Sequence, residues 1–325
     1  MSGAPGRAET AAVSASERGA AQAAWRPSGA RGRLFAPLNT PIRDWAGKRV
    51  WIVGASSGIG EALALELARR GACLALSARG ATRLRAVCAA CDAAAAGAGL
   101  PSGDAGLSAN APGERAKLAA EPAPTETLAL PLDLSRDGEI ERARDALLAR
   151  WGGFDLVVFN AGTYRPLRAW ELSVEAVRET LELNLVGTMS GVAAVLPTLL
   201  AQGRGALALV GSVAGYGGLP KATVYGPSKA ALINFAEVLH LDLAPRGIDV
   251  FLIDPGFVAT PLTAQNDFTM PALQTPAQAA EAIVEGFARG DFEIHFPKRF
   301  TRVLKLLQWL PRRAYFALVR RATGL

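Results

Sequence analysis

"RVWIVGASSGIGEALALELARRG", residues 49–71, decides the fold. A short run rich in β-branched residues ends at Gly54, glycines recur at Gly58 and Gly60, and apolar residues at helical spacing then run to a stop at Gly71. The strand, glycine turn and helix form a unit that repeats along the chain. "CLALSAR" (73–79) precedes helix "TRLRAVCAA" (82–90), and "TLALPLDLS" (127–135) precedes "DGEIERARDALLARW" (137–151). "FDLVVFNAG" (154–162) leads to a long helix over 173–202, and "ALALVGS" (206–212) to the helix that opens with "YGPSK" at 225–229. "IDVFLIDPG" (248–256) is followed by "TPAQAAEAIVEGFARG" (275–290), with Thr275 as N-cap and Pro276 at the first helical position. "FEIHFP" (292–297) is a seventh strand. Strand–helix alternation with nearly continuous apolar strands predicts a Rossmann-like, doubly wound α/β fold: seven parallel strands with helices on both faces.

The 325 residues, half of them apolar, suffice for one α/β domain of roughly 250 residues. That domain is expected over 45–297. Residues 1–44 are rich in Ala, Gly, Ser and Arg and lack the apolar stretch of a secretory signal. Their composition is that of a transit peptide or, more simply, of a disordered extension. Residues 92–125 lose all periodicity and read as a mobile insertion. Residues 184–203 carry no charge and are long enough to cross a membrane, but Asn, Gln and a central Pro favour a buried helix.

Three cysteines, Cys73, Cys88 and Cys91, make no disulfide framework and suit a reducing, cytoplasmic setting. Cys88 and Cys91 are spaced as a zinc half-site, but no second pair exists and the only histidines are His240 and His295, so no metal is expected. The net charge of +6 is concentrated at the end: residues 297–325 hold eight basic residues and no acidic one. The rest is slightly acidic, so no nucleic-acid partner is expected.

The glycine loop Gly54–Ala55–Ser56–Ser57–Gly58–Ile59–Gly60 stands between the first strand and first helix, where a doubly wound fold places its phosphate site. Its spacing is G-x-x-x-G-x-G, and the physics is general: glycine lets the backbone approach a pyrophosphate, and a helix N-terminus offers free N–H groups. An acidic residue ending the second strand would bind the ribose hydroxyls of NAD(H). Here Ala78 holds that place and Arg79 follows, which favours the 2′-phosphate of NADP(H); the alternative is a solvated arginine on a loop.

With Gly54, Gly58 and Gly60, Asp133, "NAG" at Asn160, Ala161 and Gly162, Asn184, Ser212, Tyr225, Lys229 and "PGFVAT" at 255–260, the chain resembles the short-chain dehydrogenase/reductase family over roughly residues 44–297. Ser212 precedes Tyr225 by thirteen residues, the family's spacing. Val53 and Phe159 depart from the pattern, where threonine and asparagine are usual, and each puts one supporting hydrogen bond in doubt. The resemblance implies that Tyr225 is the general acid in carbonyl reduction. Lys229 would lower its pKa and hold the nicotinamide ribose, Ser212 would hydrogen-bond the substrate oxygen, and Asn184 would hold a water leading to solvent. It implies cofactor contacts from Ser56, Ser57, Ile59, Asp133, Leu134, Asn160, Pro255, Gly256, Val258 and Thr260. Homo-dimers or homo-tetramers through the two long helices, 173–202 and 225–243, are implied as well.

Loops 163–170, 213–220 and 261–274 would bound the substrate, a small-molecule ketone or secondary alcohol; they are rich in Tyr, Trp, Leu, Phe and Met, which points to an apolar, lipid-like one, and the last reads as a lid. The tail over 298–325 is basic and amphipathic. Arg299, Arg302 and Lys305 fall on one side and Phe300, Val303, Leu304, Leu307 and Leu310 on the other, with a break at Pro311. Such helices lie on anionic membranes or pack on their own domain. The competing reading is a non-catalytic NADP(H)-binding regulator with a membrane-surface tail; the intact Ser212, Tyr225 and Lys229 argue for the enzyme.

Overall fold

The structure, a computed structural model, describes residues 36–99 and 125–324. Seven parallel strands form one sheet in the order β3-β2-β1-β4-β5-β6-β7. They are β1 (Arg49–Val53), β2 (Cys73–Ser77), β3 (Thr127–Ala129), β4 (Leu156–Phe159), β5 (Gly205–Val210), β6 (Ile248–Pro255) and β7 (Glu293–Phe296). Successive residues of each strand feed opposite cores. Val50, Ile52, Leu74, Leu76 and Val158 face one side, and Trp51, Val53, Ala75, Val157 and Phe159 the other. The near-continuous apolar strands are thus explained by burial on both faces. The first core is covered by α1 (Gly58–Arg69), α2 (Ala81–Gly97) and α7 (Pro276–Arg289). The second is covered by α3 (Glu139–Trp151), α5 (Gly187–Gln202) and α6 (Tyr225–Leu243). Thr275 caps α7 as its sequence predicts, accepting from the Gln278 amide at 3.2 Å.

Two expectations need correction. Helix α2 does not stop before Asp92 but runs to Gly97, because alanine is the best helix former and Cys91 and Ala95 are buried beneath it. The rest of the expected insertion, residues 100–124, lies outside the described residues, as do 1–35 of the expected extension. The domain begins before residue 45: Asn39 is 4% exposed, donates to the Val250 carbonyl at 2.7 Å and accepts from its amide at 3.2 Å, tying residues 36–44 to β6. Cys88 and Cys91 sit on the inner side of α2, and burial pushes their thiols up to about 11 and about 12.

The long helix runs from α4 (Val174–Leu181) through a π turn, Glu182–Val186, into α5. It is long and apolar enough to cross a membrane by length and composition, yet Val192, Val195 and Leu199 are buried against the sheet. Two further helices, α8 (Lys298–Gln308) and α9 (Arg312–Thr323), form the tail and break at Pro311 as expected. They pack on the domain, with Thr301 and Tyr315 buried and the Tyr315 hydroxyl donating to the Gly218 carbonyl at 3.0 Å.

Candidate active site

Chain order reverses between β1 and β4, and their carboxyl ends open the crevice where such sheets bind ligands. Gly54 leaves β1 with φ of +95°, and a Cβ there would lie 2.4 Å from the Ala161 nitrogen. A Cβ on Gly60 would lie 2.2 Å from the Gly54 carbonyl oxygen. That oxygen also accepts from the Asn160 side-chain amide at 2.6 Å, which pins the glycine turn to the end of β4. Ser57 precedes α1 in extended conformation and makes no capping bond, and Ser56 before it is partly exposed, so among the described residues the first amides of the helix have no side-chain acceptor. Side-chain-free turns and an uncapped helix N-terminus fit the pyrophosphate of a dinucleotide. Gly58 lies against the Thr260 methyl, and Ile59 is partly exposed beside it.

Arg79 is exposed just past β2, near enough to Asp133 to influence it. The Ser135 hydroxyl, bonded at 2.6 Å, is the main cause holding the Asp133 carboxyl below its usual range, and Arg79 adds to it. Leu134 is buried against Gly187 of α5. On the other side, Pro255 ends β6, the Gly256 amide donates to the Phe296 carbonyl at 2.7 Å, and Val258 is buried where it bridges to Gln274.

Ser212 stands past β5 after Gly211 and Tyr225 opens α6, and the Ser212 hydroxyl is near enough to lower the Tyr225 phenol pKa. One turn further, the Lys229 Nζ donates to the Val210 carbonyl at 2.7 Å and stands 5.7 Å from the Tyr225 ring centre. Asn184 sits in the π turn, a device that re-aims side chains at functional sites. Its side chain donates to the Thr163 carbonyl and the Ser228 hydroxyl and accepts from the Thr163 amide. A Cβ on Gly162 would stand 3.3 Å from Asn184 Oδ1 and 3.7 Å from Lys229 Nζ, so both polar groups border one small space.

Electrostatics differ from expectation in one respect. Burial pushes the Tyr225 phenol up to about 12, with the Ser212 hydrogen bond opposing it, and burial also brings Lys229 down to about 8. The causes acting on the phenol are burial, the Ser212 hydroxyl, Tyr164 and Asp254, and the Lys229 ammonium, 5.7 Å from the ring centre, does not offset the burial.

Sequence reasoning missed several participants. Tyr164 stacks edge-on to Tyr225 at 4.9 Å, and its hydroxyl donates to Asn266 at 3.0 Å, joining the expected lid to the centre of the site. Lys221 pairs with Asp267 across the same gap. Behind Ser212 lies Asp254, fully buried beside Gly211, with neither oxygen completing a good hydrogen bond. Burial and then the nearby Glu293 raise it well above the usual carboxylate range. The shift favours negative charge on Glu293 over Asp254, and Glu293 accepts from Tyr216 and pairs with Lys305 of α8. A charged residue inside the apolar strand "FLIDP" was the available signal. The arrangement predicts that Asp254→Asn, which mimics the protonated acid, changes stability by less than about 1 kcal/mol. Glu293→Gln leaves Lys305 and Tyr216 poorly paired and costs about 1–3 kcal/mol. Thermal unfolding of the two variants checks the contrast.

A cavity of about 620 Å³ opens above Ser212 and Tyr225. Leu219, Leu262 and Phe268 of the expected loops line it, and so do Phe300, Leu304 and Leu307 of α8 with Leu318 and Val319 of α9. The tail is a wall of the site. Two of its residues turn opposite to expectation: Lys305 points inward to Glu293, and Val303 is exposed.

Comparison with known proteins agrees with this geometry. The family model described as short chain dehydrogenase matches residues 48–106 and 105–270. An uncharacterized oxidoreductase of Myxococcus xanthus is 37% identical over 271 residues, 83% of this chain and 95% of that protein. The 11-beta-hydroxysteroid dehydrogenase A of Sesamum indicum is 29% identical, over 84% of this chain and 77% of its own. Among solved structures, a short-chain dehydrogenase from Sphingobium yanoikuyae in complex with NADPH superposes with a TM-score of 0.64 at 25% identity, covering 81% of this chain and 96% of that one. A glycine cradle at the switch point, Ser212 close to Tyr225, Lys229 one turn on, and these matches together show that the chain belongs to the short-chain dehydrogenase/reductase family and is an NAD(P)-dependent oxidoreductase.

Proposed function

We propose that this enzyme uses NADPH to reduce an apolar, lipid-like ketone to a secondary alcohol, or catalyses the reverse. The observation that carries the reading is the Ser212–Tyr225 pair at the floor of a largely apolar cavity, with Lys229 beneath it. When bound, the cofactor supplies the hydride that reaches the carbonyl carbon. Tyr225 Oη would give its proton to the carbonyl oxygen, whose developing alkoxide is more basic than the phenolate left behind, and Ser212 would hydrogen-bond the same oxygen as charge develops there. Lys229 places positive charge near the phenol and would hold the nicotinamide ribose hydroxyls. With Asn184 it borders the small space through which the lost proton is replaced.

Asn160, Ala161 and Gly162 support the cofactor's central part, Pro255, Gly256, Val258 and Thr260 its nicotinamide end, and Asp133 and Leu134 its adenine end. The sesame relative's name, a steroid dehydrogenase, accords with an apolar substrate. The test is NADPH consumption with ketones of increasing apolar length: rates should rise with length until the cavity is filled, and a panel-wide absence of turnover refutes the proposal.

NADPH over NADH rests on Arg79. Its guanidinium can pair bidentately with a 2′-phosphate, while Ala78 offers no acceptor for ribose hydroxyls. Arg79→Asp should lower kcat/KM for NADPH by roughly a hundredfold, about the 2–3 kcal/mol of a charge-assisted pair, and improve the value for NADH. Initial rates with both cofactors decide it.

Exposed Val186, Met189 and Leu200 on the long helix and Val238 and Leu241 on α6 support a homo-dimer or homo-tetramer built on those faces. The buried thiols Cys88 and Cys91 accord with the cytoplasm, and the basic tail with peripheral contact at a membrane surface.

A further inference from the structure

The tail helices have two different faces. The inner face of α8, with Phe300, Leu304 and Leu307, closes the cavity over Tyr225. Its outer face groups Arg299 and Arg302 with Val303, Leu306 and Trp309, the last two 68% and 88% exposed. On α9, Tyr315 and Val319 turn inward while Phe316, Arg313, Arg320 and Arg321 face solvent. Neither helix carries an acid, and the one basic residue that turns inward, Lys305, is already paired with Glu293. Exposed large apolar residues set among arginines that pair with no acid among the described residues are unstable against water and complementary to anionic headgroups over acyl chains. The cavity mouth adjoins this surface. Leu318 and Phe268 both line the cavity and are 45% and 44% exposed, so they mark its rim between α9 and the lid.

The geometry points to α8 and α9 as the docking surface for an anionic lipid bilayer, against which the mouth of the cavity opens, so that the substrate is a membrane-dissolved ketone taken up from the lipid. This rests on the reductase reading for the substrate but not for the docking. Docked in this way, Trp309 and Leu306 sit in the interfacial region and the rim residues Leu318 and Phe268 meet the acyl chains. An apolar ketone then passes from lipid to cavity without crossing water, which for a long chain removes most of the cost of leaving the bilayer.

The full-length protein is sedimented with vesicles of phosphatidylcholine alone and of phosphatidylcholine mixed with phosphatidylglycerol. Wild type should partition to the mixed vesicles at least tenfold more strongly than to the neutral ones. The double variant Leu306→Ser/Trp309→Ser should lose at least tenfold of that binding. Because neither residue lines the cavity, the variant's turnover of a short water-soluble ketone should stay within twofold, while its kcat/KM for a long-chain ketone dissolved in the mixed vesicles falls about tenfold. Equal vesicle binding by variant and wild type, or none by wild type, overturns the proposal. A lower oligomeric mass in the variant by sedimentation velocity overturns it in favour of a second copy covering the face. If wild type turns over no ketone, the reductase reading fails, and the vesicle arm still decides the docking.

Discussion

Tyr225→Phe should lower kcat for ketone reduction by a factor of about 10³ or more, within the range found for removal of a positioned general acid. The substitution deletes one oxygen and keeps the ring. The edge-on contact with Tyr164 at 4.9 Å and the fit of the α6 N-terminus are preserved, so folding and NADPH affinity should change by less than threefold. Only the phenol hydroxyl, the proton donor on which Ser212 acts, is lost. Stopped turnover with intact cofactor binding, measured by fluorescence titration, separates an enzyme from a cofactor-binding regulator. A variant that retains a tenth of wild-type kcat removes Tyr225 from the chemistry.

Lys229→Met should cost a comparable factor, 10² or more, in kcat while leaving thermal stability at pH 7 no lower than wild type. Burial brings Lys229 from an ordinary 10.5 to about 8, a cost on the order of 3 kcal/mol for keeping the charge inside. Methionine fills similar space without that cost. It leaves the Val210 carbonyl without its donor, a loss of about 1–3 kcal/mol, so the two changes roughly offset. The sign of the pH effect follows from the same shift. Between pH 8 and 10.5 the unfolded chain still binds the lysine proton and the folded chain does not, so wild-type stability gains up to about 1.4 kcal/mol per pH unit from this group in that window. Denaturant unfolding across the window should show that gain in wild type and its absence in Lys229→Met. Turnover in the reductive direction should fall above pH 8 as the charge is lost.

The parts of the molecule that could be read from sequence are those whose burial is symmetrical or whose chemistry is local. Strands such as "RVWIV" and "CLALS" are apolar throughout because both faces of the sheet are covered, and that pattern survives without tertiary information. The glycine loop and the Tyr225–Lys229 spacing are likewise local, as one turn and one helix face. What escaped reading depends on partners distant in sequence. Asn39 belongs to the domain because its side chain bonds the backbone of β6, 211 residues away. Lys305 turns inward only because Glu293 of β7 waits there, and the helix then rotates Val303 to the outside. Helix α2 was cut short for a different reason: its alanine-rich end shows no contrast between polar and apolar positions, so periodicity fails although helix propensity is high. Asp254 and the cavity wall formed by α8 and α9 required the sheet order itself, which brings β6, β7 and the tail alongside β5.

The central claim, hydride transfer over Tyr225 to an apolar ketone, is tested most directly with NADPH deuterated at the transferable position. Wild type should deliver one deuterium to the carbinol carbon of each alcohol formed, and Tyr225→Phe should bind the same cofactor and form none. Tight NADPH binding with no labelled alcohol from any ketone in a broad apolar panel would contradict it.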